Sequence, residues 1–152
     1  MDVLKRLFEQ HFRLPAEDVQ PLQGQLGGSG RAIVRLTGGN LTAIGILYSV
    51  QEENVAFLEF SKHFRRRGLP VPEIYAEALS EGAYLEEDLG NTTLFDFLVS
   101  NRAGAVIAPQ VAEAYRQVVA MLPRFQVEAG RELNYKVCYP RDRFAVSPSP
   151  GI

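Results

Sequence analysis

The spacing of apolar residues changes three times along this chain, and each change fixes the kind of element that can follow. Residues 2 to 13 put Val3, Leu4, Leu7, Phe8 and Phe12 at helical spacing, with Lys5, Arg6, Glu9 and Gln10 on the other face. From Val19 the period shortens toward two, as in strands. At Glu53 the helical period returns and runs to Arg67, and from Glu73 the pattern is extended again. This order predicts an α+β fold: a five-stranded antiparallel sheet over residues 20 to 87, crossed by the helix Glu53–Arg67, with mainly helical ends.

Local signals refine that outline. Pro15 is expected to stop the first helix, and Pro15-Ala16-Glu17-Asp18 to open a further short turn. His11, near the polar side, reads as solvated. Gln20 to Leu26 reads as a short edge strand, Gly27-Gly28-Ser29-Gly30 as a loop, and Arg31–Thr37 as the second strand. Gly38-Gly39-Asn40 is a tight hairpin turn, since such residues tolerate positive φ, and Leu41–Ser49 is the third strand. In the crossing helix Phe57, Phe60 and Phe64 form one stripe with Ala56 and are expected in the core. Basic residues at Arg65-Arg66-Arg67 suit its C-terminus, and Gly68 and Pro70 end it. Strands Glu73–Leu79 and Ala83–Glu87 flank the turn Ser80-Glu81-Gly82.

Beyond Gly90, Asn91-Thr92 is read as the cap of a helix Thr93–Val99, with Leu94, Phe95 and Leu98 inward. Ala103-Gly104-Ala105 is a linker to a longer helix from Pro109, carrying Val111, Ala114, Tyr115, Val118, Leu122 and Phe125, with Pro123 as a kink or interruption. After Asn134 the pattern thins into a Ser/Pro-rich, irregular tail.

Composition narrows function mainly by exclusion. A net charge of −2 gives no general attraction to nucleic acid or to an acidic membrane, and the basic helix end does not change that. A lone cysteine, Cys138, leaves no internal disulfide and suits a reducing compartment. No apolar run approaches a membrane span, and the start lacks a signal-peptide pattern, so the expected localisation is cytoplasmic. With one cysteine and two histidines, no Ser/His/Asp or Cys/His set offers nucleophilic catalysis. Glu86 and Asp88 share a strand face, but no histidine or third acid joins them as metal ligands. The loop at Gly27–Gly30 has two readings: a plain flexible hairpin, or a phosphate cradle in which backbone N–H groups meet phosphate oxygens. It matches neither G-x-G-x-x-G nor a Walker loop.

The order strand, glycine loop, strand, hairpin, strand, helix, and then Gly68-Leu69-Pro70-Val71-Pro72 leading through a hairpin to Glu86-Glu87-Asp88-Leu89-Gly90, carries a resemblance. The chain resembles the aminoglycoside phosphotransferase and choline kinase superfamily, nearest to the kinases of cell-wall amino sugars and related phosphotransferases of Bacteroides-like bacteria. Ser29, Arg31, Arg35 and Leu36 fall at the spacing of the Ser-x-Arg-x-x-x-Arg-Leu run of the amino-sugar kinases. The resemblance implies a protein-kinase-like small lobe with an N-terminal helix over residues 1–90, the start of a helical large lobe over 91–134, and an irregular tail over 135–152. It implies ATP as nucleotide, bound weakly or vestigially, by Gly28, Ser29, Gly30 and Arg31 near the phosphates and by the backbone at Glu87 and Leu89 near adenine. Arg35 is expected in a surface ion pair; Glu53 and Glu59 are the candidates for the glutamate of the kinase helix, and with no lysine to hold they are expected at surface positions.

Two departures from the pattern shape the expected activity. The third strand has no lysine to pair the α- and β-phosphates. Neither His11 nor His63 precedes a catalytic loop, and Asp142 is followed by Arg143 and a Pro-rich tail. The expectation is therefore the nucleotide-binding portion of an ATP-dependent phosphotransferase whose relatives act on a small hydroxyl acceptor (a sugar, amino sugar or aminoglycoside). This portion carries no catalytic residue or metal ligand of its own, takes Mg²⁺ only alongside a complete large lobe, and is inactive alone. The alternative is a kinase-like interaction module that no longer uses nucleotide. Nucleic acid and membranes are not expected as partners. Self-association through uncovered large-lobe helices is.

Overall fold

A computed structural model of the chain describes residues 1–22, 30–103 and 106–140. Helix α1 (Asp2–Phe12) ends before Pro15, at Arg13, which takes a left-handed conformation and donates its N–H to the Glu9 carbonyl. Residues 15–17 do not form the short turn expected of them; Glu17 already donates to the Thr37 carbonyl and leads into strand β1 (Asp18–Pro21). The remainder of the expected edge strand, residues 23–26, lies outside the described residues. Strands β2 (Ala32–Gly38) and β3 (Leu41–Leu47) are joined by the expected hairpin, with Gly39 at φ 59°. Helix α2 (Gln51–Arg66) follows, then β4 (Ile74–Ala78) and β5 (Ala83–Glu87) around a left-handed Gly82.

The five strands form one antiparallel sheet in the order β1-β2-β3-β5-β4, so the expected α+β architecture with a five-stranded sheet and a helix inserted after the third strand is present. Strand alternation gives the sheet two apolar faces. Val34, Leu36, Ala43, Ala83 and Leu85 pack with Leu4, Leu7 and Phe8 of α1. Ile44, Ile46 and Tyr84 pack with Leu58 of α2. Gly38 and Gly45 let α1 come close to the sheet: a Cβ would lie 2.8 Å from Phe8 Cε1 at Gly38 and 2.9 Å from Leu4 Cδ1 at Gly45.

The aromatic stripe of α2 corrects one expectation. Phe57, Phe60 and Phe64 are only half-buried, while Asn54, Ala56, Leu58 and Ser61 are the buried residues of this helix. Asn54 is fully buried because its Nδ2 donates to the Tyr48 carbonyl at 2.8 Å, stapling the β3–α2 loop to the helix. Phe57 stacks on Tyr84 instead, and Phe64 meets Phe125 edge-on.

The chain after Gly90 is mainly helical. Helix α3 (Leu94–Ser100) is capped by Thr93, not by Asn91-Thr92: Thr93 accepts from the Asp96 N–H, and Asp96 accepts from the Thr93 N–H. The inward stripe is Leu94, Phe97 and Leu98 at helical spacing, so Phe97 is half-buried and Phe95, expected inward, is 68% exposed. Two short strands, β6 (Arg102–Ala103) and β7 (Val106–Ile107), pair antiparallel before α4 (Pro109–Pro123). Past Pro123 the helix loosens into a π-helical stretch over Arg124–Ala129. Only Val111 of α4 is buried, and Tyr115, Val118, Val119 and Leu122 are exposed. Contacts to α2 hold this segment: Phe64 on Phe125, His63 Nε2 at 2.9 Å from the Ala129 carbonyl, and an Arg67–Glu132 ion pair.

Candidate functional site

The α2-facing side of the sheet carries an unusual amount of charge for an apolar face. Arg31 stands at the entrance to β2, and its guanidinium pairs with Glu53, in the first turn of α2. The same guanidinium lies over the Tyr48 ring, 4.8 Å from its centroid. Both members of the pair are mostly covered, with side chains 23% and 30% exposed, so Glu53 is not the surface residue expected. Glu59, by contrast, is exposed as expected. Arg31 Nε is buried and has no hydrogen-bond partner within the protein.

Further along the same face, register aligns Arg35 of β2, Ile44 of β3, Glu86 of β5 and Ile74 of β4 in one row. Arg35 donates to Asp88 twice, Nε to Oδ2 at 2.6 Å and Nη2 to Oδ1 at 2.8 Å. This ion pair is not on the surface, contrary to expectation: the side chains are 20% and 7% exposed. The Arg35 hydrogen bonds, aided by the Gly90 N–H and the Thr42 hydroxyl, hold Asp88 below the usual carboxylate range against the opposing effect of burial. Glu86 has no such support. Burial pushes its carboxyl up to about 7, only partly offset by Arg31, and its Oε2 is sealed without a partner. Burial likewise raises the Tyr84 phenol well above its ordinary value.

Of the residues expected to bind nucleotide, Gly28 and Ser29 lie outside the described residues. Gly30 is left-handed at φ 69°, and a Cβ there would come within 4.0 Å of the Tyr48 ring. Gly30 and Arg31 thus meet Tyr48 and Glu53 at one end of the sheet. Glu87 and Leu89 stand at the other end: the row Ala32–Leu47–Ala83 next to Arg31 is four residues of β5 from Glu87, roughly 13 Å at strand rise. The Glu87 N–H donates to the Glu73 carbonyl at 2.8 Å, and its carboxylate accepts from the Glu73 N–H and lies 3.6 Å from Arg65. Leu89 follows β5 in the connector and is 69% exposed.

Tyr48 and Glu86 were not assigned to the site by the sequence, and Glu53, one of two candidates for the helix glutamate, was expected at the surface. Strand parity was the available signal: an acid two residues from Tyr84, inside an otherwise apolar strand, must share its buried face. Asp96 and Asn101 have the spacing of a kinase Asp-x-x-x-x-Asn loop, but α3 occupies both: Asp96 closes the N-terminal capping box, and Asn101 Nδ2 donates to the Phe97 carbonyl at 2.8 Å. His11 stacks on Tyr75. Among the described residues no cluster of three or more His, Cys, Asp and Glu could hold a metal ion, and no helix is long and apolar enough to cross a membrane. A separate open groove of about 470 Å³, lined by Pro70, Leu94, Val118, Met121, Leu122 and Phe125, runs between the connector side and α4. Comparison of the chain with protein-family models, with curated proteins and with solved structures returned no match.

Proposed function

We propose that this chain is the nucleotide-binding portion of a kinase-like phosphotransferase, with residues 1–90 as its small lobe and 91–134 as the first helices of its large lobe. The observation that carries the reading is the Arg31–Glu53 pair. In protein kinases a strand-borne lysine is held by a glutamate of the following helix and meets the α- and β-phosphates. Here β3 offers no lysine, and the helix glutamate holds an arginine from the end of the glycine segment instead. The described parts of the expected phosphate and base regions are separated by about the length of an extended nucleotide, which also supports the reading.

Such a site binds ATP without turning it over. No His/Arg-x-Asp loop or later metal-binding acid occurs in the sequence, and phosphoryl transfer draws nearly all its acceleration from positioning and charge stabilisation. Mg²⁺ and a small hydroxyl acceptor belong to the complete enzyme under this reading. Titration calorimetry with ATP is the test. Weak binding that falls roughly tenfold in Arg31→Ala is expected, in line with loss of one charge-assisted contact. Micromolar affinity unchanged by Arg31→Ala would overturn the role of Arg31.

A second reading is an interaction module that no longer uses nucleotide. It is favoured by the exposed apolar residues of α3 and α4, Phe95, Val118, Val119 and Leu122 among them. Absence of any nucleotide binding, together with mass that rises with concentration, would select it.

A further inference from the structure

After leaving the sheet the chain returns to α2 and follows it back. Phe125, Ala129 and Glu132 meet its C-terminal half, and residues 135–139 then reach its first turn. There Val137, Cys138 and Tyr139, with Gln51, Glu52 and Val55 of α2, line an open groove of about 420 Å³. The hydrogen bonds of this segment close locally, between Gly130 and Cys138, so among the described residues packing alone holds it to the helix. The first turn of α2 needs such support. Val50 gives it no side-chain cap, and an uncapped helix end frays. From within, Asn54 Nδ2 fastens the turn to the Tyr48 carbonyl; from without, residues 135–139 cover it. Glu53, the partner of Arg31, sits on this turn. Tyr139 also comes near the same cluster: burial and Glu53 raise the Tyr48 phenol, Tyr139 adds to them, and Arg31 opposes.

Resting on the nucleotide reading, we infer that residues 135–139 are a positioning strap: packed on the first turn of α2, they keep Glu53 where it holds Arg31 in the orientation that meets phosphate. The strap touches neither nucleotide nor reacting atoms. It acts by removing alternatives. A guanidinium on a long side chain has many rotamers, and an ion pair to a fixed acid selects among them before the ligand arrives. Less freedom is then lost on binding. If the first turn frays, Glu53 moves with it and Arg31 regains that freedom. Nucleotide affinity thus depends on a segment far along the chain from either member of the pair.

The experiment perturbs the strap in the whole chain in two ways: Val137→Asp, and a bulky maleimide attached after folding to Cys138, the only cysteine. Amide exchange reads the helix, and titration calorimetry with ATP reads the site. Both perturbations are expected to speed exchange at residues 54–56 by about tenfold or more and to leave residues 62–64 unchanged. ATP affinity is expected to fall about three- to tenfold in each, but by less than about twofold when Arg31 is already Ala, since strap and arginine act through one contact. Val137→Ile keeps the packing and is expected to match wild type. Unchanged exchange in both perturbed forms would overturn the strap and leave the nucleotide reading standing. Faster exchange with unaltered ATP affinity, or an equal loss of affinity in Arg31→Ala, would overturn its link to Arg31. No ATP binding by the wild-type chain would remove the nucleotide reading and the positioning role with it.

Discussion

Arg35 and Asp88 form a two-point ion pair that spans β3, tying the second strand to the connector that leaves the sheet. Asp88→Asn keeps the shape but removes the charge facing a largely covered guanidinium. The variant is expected to lose about 1–3 kcal/mol in urea unfolding at neutral pH. The pH dependence has a definite sign. The folded-state pKa of Asp88 is depressed by Arg35, so its contribution is present above the ordinary aspartate range and is lost as pH falls through the depressed value. The wild-type advantage over Asp88→Asn should therefore vanish in acid. A penalty that persists there would mean that the cost lies in packing instead.

Glu86 should behave oppositely. Its folded-state pKa is raised to about 7, so the folded protein holds a proton that the unfolded chain has already released. Stability from this group is complete below the ordinary glutamate range, declines as pH rises, and is gone above about 7. Glu86→Gln is expected to match wild type in acid and to exceed it by about 1–3 kcal/mol in mild base. Denaturant midpoints at the two pH values check it; equal stabilities in base would show that the carboxylate finds solvent.

Gly82 couples the β4–β5 turn to the end of the sheet where Tyr48 meets Arg31. Its φ is 62°, and a Cβ there would stand 2.4 Å from the Tyr48 carbonyl oxygen, backbone that cannot step aside. Gly82→Ala is expected to cost about 2–3 kcal/mol, from the left-handed conformation and the displaced Tyr48 together. Thermal unfolding gives the first measure. Any loss of ATP affinity in the folded variant gives the second, since Tyr48 lies under Arg31.

The exposed apolar residues near the C-terminal end invite a surface test. Val119 and Phe95 are 60% and 68% exposed, so changing both to Glu should move stability by no more than about 0.5 kcal/mol each. Binding of a hydrophobic dye and any concentration-dependent mass should fall in the double variant. Dye binding as strong as in wild type would place the sticky surface elsewhere.

What the sequence made legible follows period and punctuation. The strand β5 could be bounded because Gly82 opens it and an acidic connector closes it, and the order of five strands around α2 follows from where the period changes. The buried face of α2 was not legible, because the polar Asn54 and Ser61 sit there, and a hydrophobic pattern cannot register a residue such as Asn54 buried for a hydrogen bond. The same applies to the site. Arg31 could be singled out beside its glycines, but its partner Glu53 lies 22 residues away, and the partner of Arg35 lies 53 away. Such pairings depend on how the sheet and helix are laid together, which local spacing does not encode. The cap of α3 was missed by one residue, and Phe95 and Phe97 could not be told apart because spacing does not say which face of so short a helix meets the rest of the chain.

The packing of α1 has a consequence for how the protein is made. Leu4 and Phe8 are completely buried, yet the cluster that buries them includes Leu36, Ala43, Ala83 and Leu85. During synthesis α1 leaves the ribosome ahead of the sheet and has no finished surface to settle on until β5 has emerged. Contacts this distant in sequence form late, since the intervening chain must be ordered first. During synthesis α1 is expected to act as a closing lid and not as a nucleus, and pulse-labelled amide exchange should show β2 and β3 protected before it. Until that lid seats, the nascent chain carries an uncovered apolar sheet face, and this interval is when it has most need of a chaperone.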